Sequence, residues 1–139
     1  MKILANDGIS QSGIDALTEA GYEVITINVA QEQLVSFINE NKIVVLLVRS
    51  ATTARKELID ACPGIKIIGR GGVGMDNIDV EYAREKGLSV INTPAASSSS
   101  VAELVFAHLY GGVRFVYDSN RHMPLEGESN FKSLKKAYA

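Results

Sequence analysis

The segment Gly69-Arg70-Gly71-Gly72-Val73-Gly74 sets three glycines at the spacing G-x-G-x-x-G. Backbone stripped of side chains lets main-chain N–H groups close on an anion, and after a strand this spacing is also the fingerprint of a pyrophosphate cradle. A dinucleotide site asks for more. The last glycine must open a long helix, and an acidic residue must follow about 20 positions on. Here Met75-Asp76-Asn77-Ile78-Asp79 comes next, and the following strand runs into Asn92-Thr93-Pro94 without an acid. A loop that holds a small anion is the preferred reading, with a plain turn and a dinucleotide cradle as alternatives. Arg49 and Arg70 follow the third and fourth predicted strands, so both guanidiniums reach one sheet edge. Their planar fork suits a carboxylate or a phosphate. The plain alternative is a pair of surface salt bridges.

Other chemistry is sparse. His108 lies in an apolar helical stretch and reads as packed; His122 lies in a polar stretch and reads as solvated. No Ser/His/Asp or Cys/His arrangement, no paired carboxylates and no metal-ligand spacing stand out. Asn6-Asp7 after the first strand has the look of an acidic phosphoacceptor pocket, but such a pocket needs an Asp after the third strand and a Lys after the fifth. Arg49 and Asn92 stand there instead. The run Ser97–Ser100 offers hydroxyls to cap a helix, and Glu103 suits its positive end.

The elements that must position these residues alternate. Strands are predicted at Lys2–Ala5, Tyr22–Ile27, Ile43–Val48, Ile65–Ile68 and Leu88–Ile91. Helices are predicted after Ser10 up to Gly21, over Gln31–Asn39, over Lys56–Ala61 and over Val80–Lys86. Consecutive βα units give an α/β fold, a five-stranded parallel sheet of flavodoxin-like or Rossmann-like type, whose ligands sit beyond the carboxyl ends of the strands. The aliphatic run Ile43–Val48 suits a strand covered on both faces. Then the character changes. Val101–Tyr117 is apolar nearly all round and expects protein on more than one side. From Asp118 the chain is polar, holds Pro124 and Gly127, and shows no packing face.

The chain has 139 residues, 46% hydrophobic and 22% charged, with formal net charge −2. That is enough for one hydrophobic core, excludes disorder for most of the chain, and lacks the basic excess of a nucleic-acid binder. Cys62 is the one cysteine, so no disulfide framework forms, and a reducing, cytoplasmic setting is expected. The N-terminal apolar run is too short for a signal peptide, and the apolar helix too short and too charged to cross a bilayer.

Together, Val48-Arg49-Ser50-Ala51-Thr52, the stretch Ile67–Asp79, Gly87, Asn92-Thr93-Pro94 and Ser100-Val101-Ala102-Glu103-Leu104 resemble the D-isomer-specific 2-hydroxyacid dehydrogenases. The resemblance extends to about Tyr117. The Val-Arg-Ser-Ala-Thr and Asn-Thr-Pro segments are most similar to the branch that oxidises D-3-phosphoglycerate in serine biosynthesis. It implies a substrate domain over residues 1–95, a crossover helix over 96–118, and at 119–139 the start of a connection to an NAD domain. The catalytic Arg, Glu and His and the true dinucleotide motif would lie in later sequence. The chain is thus expected to be an N-terminal piece of an NAD-dependent enzyme, inactive alone and without tight NAD binding.

By position, the resemblance gives Gly72, Val73 and Gly74 main-chain N–H contacts to the substrate carboxylate. Arg49 and Arg70 take the phosphate end, Ser50 and Asn92 line the pocket, and Ser97–Glu103 borders the cofactor side. Arg114 would reach a neighbouring subunit's site. A small phosphorylated hydroxyacid is the expected partner, with a homo-oligomer formed through the 101–117 helix and neither nucleic acid nor membrane involved. The chain departs from the family at Ala95–Ser99, where an Asn is common. Another 2-hydroxyacid substrate, a non-enzymatic NAD-sensing module and a stand-alone anion-binding domain remain the alternatives.

Overall fold

In a computed structural model, which describes residues 1–138, the chain divides into two units, Met1–Ala96 and a second that begins at Ser97. The first unit contains β1 (Lys2–Ala5), α1 (Gln11–Glu19), β2 (Glu23–Ile25), α2 (Gln31–Asn41), β3 (Ile43–Val48), α3 (Lys56–Ala61), β4 (Ile67–Arg70), α4 (Val80–Glu85) and β5 (Ser89–Asn92). Every strand pair is parallel, in the order β2-β1-β3-β4-β5. The expected α/β fold is present. The order reverses direction between β1 and β3, which makes the exits of these two strands a switch point, the usual place for a ligand crevice.

Right-handed crossovers put α1 on one face of the sheet and α2, α3 and α4 on the other. Burial follows that division. Leu34, Ile38, Leu58, Ile59 and Ala83 pack against the register row Leu46–Ile68–Val90, whereas α1 buries no residue. On the α1 side the row Leu47–Gly69–Ile91 is thinly covered, and Ile91 is 56% exposed.

Two strands are displaced from their sequence expectation. β4 begins two residues later than Ile65, because Ile65 is spent in a turn on Cys62 and is buried there. Gly69 and Arg70 therefore belong to the ladder, and the free loop starts only at Gly71. A Cβ on Gly69 would lie 2.8 Å from Leu47 Cδ2, so this glycine serves close packing between neighbouring strands. β5 is shifted by one residue, which makes Asn92 the register partner of Arg70. β2 is shorter than Tyr22–Ile27, since it pairs only with β1 and its end is exposed.

The second unit has α5 (Ser98–Val113) and α6 (Val116–Ala137). The expected single helix to Tyr117 is broken at Phe115, whose φ of 52° is left-handed, just after Gly111-Gly112, two residues that weaken helix continuity. Three of the four expected capping serines lie inside α5, and Ser97 makes no side-chain cap bond. The polar stretch from Asp118, which shows no packing face in sequence, is helical through Pro124, with irregular backbone at Asn130. Within it Tyr138 stacks beside His122 and bonds its Nδ1, so His122 is half-buried instead of solvated. His108 is exposed instead of packed, as is every residue from Val101 to Tyr110.

Candidate functional site

The strand exits carry short polar segments, and a lattice of side-chain hydrogen bonds fixes them. Asn6, at the end of β1, is buried; its amide donates to the Val29 carbonyl (3.1 Å) and the Thr52 hydroxyl (2.8 Å), and its Oδ1 accepts from Val29 N (2.8 Å). Next to it the Asp7 carboxylate accepts from Arg49 N (2.6 Å), Thr52 N (3.1 Å) and the Thr52 hydroxyl (2.5 Å). Burial pushes the Asp7 carboxyl upward, but the Thr52 hydroxyl and the main-chain N–H groups of Arg49, Thr52 and Ala51 outweigh it and hold it below the usual carboxylate range. From the other side the buried Asn77 amide donates to the carbonyls of Arg49 (2.8 Å) and Thr52 (2.6 Å). The turn Arg49–Thr52 is thus held through both its N–H and its C=O groups.

Arg70, on β4, lies beneath the glycine loop with its side chain 12% exposed. Its Nε donates to the Arg49 carbonyl (3.2 Å), Nη1 pairs with Asp76 (3.2 Å) and Nη2 reaches the Ser50 hydroxyl (3.5 Å). Asp76's carboxyl is lowered by its own main-chain N–H and by Arg70. Arg70 therefore has an internal role that the sequence did not announce. Three of the five N–H donors of a guanidinium are engaged inside the protein. Arg49 differs: its side chain is exposed, makes no ion pair among the described residues, and runs over the loop with Cγ 3.5 Å from where a Gly71 Cβ would be.

The loop itself is tied down at Gly71, whose N–H donates to Val48 O (2.9 Å), and at Gly72, whose N–H donates to Arg70 O (3.0 Å) and whose carbonyl accepts from Thr93 N (3.1 Å). Asn92 Nδ2 donates to Val73 O (2.7 Å). The Gly72 N–H, expected to face an anion, donates within the loop. Among the described residues, Val73 and Gly74 are the loop positions whose N–H groups donate to no protein acceptor.

A cleft of about 690 Å³ opens at these exits, lined on its polar side by Asp7, Ser10, Arg49, Arg70, Gly71 and Asn92 and floored by the apolar row that contains Leu47 and Ile91. One cation with open donors, free main-chain N–H groups nearby and an apolar floor can hold a small anionic molecule with a carbon skeleton. The same residues do not fit a dinucleotide. The first glycine is inside a strand, Arg70 fills the space under the loop, the helix that follows has six residues, and Asn92 ends β5 where an acid would be needed.

The family model for the D-isomer-specific 2-hydroxyacid dehydrogenase catalytic domain matches residues 3–134. This chain belongs to that family. It is 41% identical over 135 residues to the D-3-phosphoglycerate dehydrogenase of Methanocaldococcus jannaschii, an alignment covering 97% of this chain and 25% of that protein. It is 36% identical to the hydroxypyruvate reductase of Thermotoga maritima over 96% of this chain and 43% of that one. Among solved structures, NAD+-bound 3-phosphoglycerate dehydrogenase of Entamoeba histolytica superposes with a TM-score of 0.67 at 31% identity, over 82% of this chain and 39% of that chain. A Thermus thermophilus protein gives 0.76 at 27% identity, over 88% and 40%. The chain thus spans less than half the length of each of these proteins.

Sequence reasoning placed Arg49, Ser50, Arg70, the glycine loop and Asn92 at one edge, and the fold brings them there. It weighed Asp7 only as part of a phosphoacceptor pocket, which it set aside, and it did not single out Thr52 or Asn77. The available signal was position alone: Asp7 lies two residues beyond β1, and Thr52 and Asn77 lie in the segments that follow β3 and β4.

Proposed function

We propose that this chain is the substrate-holding part of an NAD-dependent dehydrogenase that oxidises the C2 hydroxyl of D-3-phosphoglycerate to the ketone. The observation that carries this reading is Arg49, an arginine that lines the cleft, makes no ion pair among the described residues and runs its side chain past Gly71 of the glycine loop. A 2-hydroxyacid needs one anion site for its carboxylate; a phosphorylated one needs a second, and a guanidinium suits a phosphate. In this reading Val73 and Gly74 orient the carboxylate, Arg49 with the remaining N–H groups of Arg70 takes the phosphate, and Ser50 and Asn92 line the pocket between them. The similarity to the D-3-phosphoglycerate dehydrogenases of Methanocaldococcus jannaschii and Entamoeba histolytica supports it. NAD, the hydride acceptor, would bind to sequence other than the residues described, as would the proton-transferring histidine. The chain alone then turns over no substrate and binds NAD weakly. A cytoplasmic enzyme of serine biosynthesis, assembled as a homo-oligomer through the 101–117 helix, completes the proposal.

The test is a pair of titrations of the purified 139-residue chain followed by amide NMR shifts. D-3-phosphoglycerate is expected to shift Val73 and Gly74 and to bind roughly tenfold or more tightly than D-glycerate, the loss expected when one charge-assisted contact is missing. Equal affinities would favour an enzyme of unphosphorylated substrates, as the name hydroxypyruvate reductase of the Thermotoga relative suggests. NADH production by this chain would overturn the division of labour.

A further inference from the structure

We propose that Asp7 is a positioning residue for Arg49: its carboxylate fixes the Arg49–Thr52 turn so that the guanidinium stands over the glycine loop and faces the cleft. The inference deepens the reading of the cleft as a phosphorylated-hydroxyacid site and rests on it. A carboxylate lining an anion cleft is out of place on charge alone, because it repels the ligand. Asp7 lines this cleft nonetheless, and its geometry explains why. One oxygen takes both Arg49 N (2.6 Å) and Thr52 N (3.1 Å), and the other takes the Thr52 hydroxyl (2.5 Å). The two N–H groups belong to the first and last residues of the turn, so one side chain closes it.

Asp7 does not act alone. Asn77 grips the carbonyls of the same two residues from below, and its buried Oδ1 is left without a hydrogen-bond partner among the described residues. A buried orphan acceptor is costly, so this orientation of Asn77 is kept for the two carbonyls. Arg49 is therefore held at its main chain from two sides while its side chain is left open. Asp7 is itself fixed by the tight turn that follows it, in which Gly8 adopts φ 76° and donates to Ala5 O (3.0 Å).

The sign of one substitution separates positioning from mere proximity. Asp7→Asn removes a negative charge beside an anion site, which by electrostatics alone strengthens anion binding. It also replaces an acceptor with an NH2 group that meets N–H donors, which releases the turn. In the 139-residue chain, Asp7→Asn is expected to weaken D-3-phosphoglycerate binding about tenfold while changing D-glycerate binding less than about twofold. Thr52→Val, which deletes one of the three donors, is expected to act in the same direction and more weakly, and it decides the matter if Asp7→Asn does not fold. The Arg49 main-chain N–H gives a ligand-free readout: its proton resonance moves upfield in the variant, and the Arg49 Nε–H signal broadens as the side chain loses its fixed origin. Unchanged or tighter D-3-phosphoglycerate binding in a folded variant would overturn the proposal, as would an Arg49 Nε–H signal indifferent to the substitution. If the wild-type chain binds neither ligand, the reading of the cleft fails, and the Arg49 signals alone decide the role of Asp7.

Discussion

A guanidinium that touches a carboxylate, a hydroxyl and a main-chain carbonyl at once organises more than its own strand. Arg70 does this beneath the glycine loop, and Gly74 is small because of it: a Cβ there would lie 3.0 Å from Arg70 Nη1 and 3.2 Å from Asp76 Oδ1. Arg70→Met should cost about 1.5–3 kcal/mol in urea unfolding, the range for hydrogen bonds to a charged group, since the Arg49 carbonyl loses a donor and Asp76 its counter-ion. Asp76→Asn should cost clearly less, because Asp76 is 87% exposed and water replaces its partner. Equal losses would mean that the ion pair, not the brace under the loop, is what Arg70 supplies. At this scale the sequence showed which residues sit at the strand exits but not what they hold. Asp7 serves N–H groups 42 and 45 residues away, a relation only the sheet register creates.

Helices α3 and α4, six residues each, are too short to persist by themselves and depend on what joins them. On the surface, Asp60 of α3 accepts from the Tyr82 hydroxyl of α4 (2.7 Å) and from Lys86 (2.6 Å), while Lys56 and Lys86 lie over the Tyr82 ring at 5.0 and 5.1 Å. Hydrogen bonds from Lys86 and then Tyr82 lower the Asp60 carboxyl, and hydrogen bonds to Asp60 and then Tyr82 raise the Lys86 amine. A depressed carboxyl contributes stability above its unfolded value of about 3.9 and loses it as pH falls through the folded value; a raised amine contributes below about 10.4 and loses it as pH climbs through the folded value. Unfolding followed from pH 2 to 12 should therefore show Asp60→Asn flattening both the acid and the alkaline limb relative to wild type, with α3–α4 as the element affected. A variant curve merely displaced downward at every pH would refute the coupling. α3 was legible to the residue because Pro63-Gly64 stops it. β4 was not, because Ile65 has the side chain of a strand residue and spends it on burial in a turn.

In the second unit apolar side chains stand in water along the whole of α5: Leu104 is 59% exposed, Phe106 54%, Leu109 52% and Val113 63%. That the helix is apolar nearly all round was legible from its residues. The break at Phe115 was not, since two glycines weaken a helix without saying which residue will turn left-handed. Nor was α6, whose Pro124 and Gly127 argue against the helix that forms across them. Each large side chain left exposed forgoes about 1.5–3 kcal/mol of burial, and a handful on one helix exceeds the patch of a few hundred Å² usual for a monomer. A second copy offers the same apolar helix and can cover it with twofold symmetry, in which the same patch is used by both copies and every contact is made twice. Sedimentation of the 139-residue chain at micromolar concentration should accordingly show a dimer or larger species. Phe106→Asp and Leu109→Asp place a charge among these side chains and should each shift the distribution toward monomer, while Asp60→Asn, in the first unit, should leave it unmoved. A wild-type chain that sediments as monomer at tens of micromolar, with α5 helical by amide exchange, would mean that the face is covered by something other than its own copy.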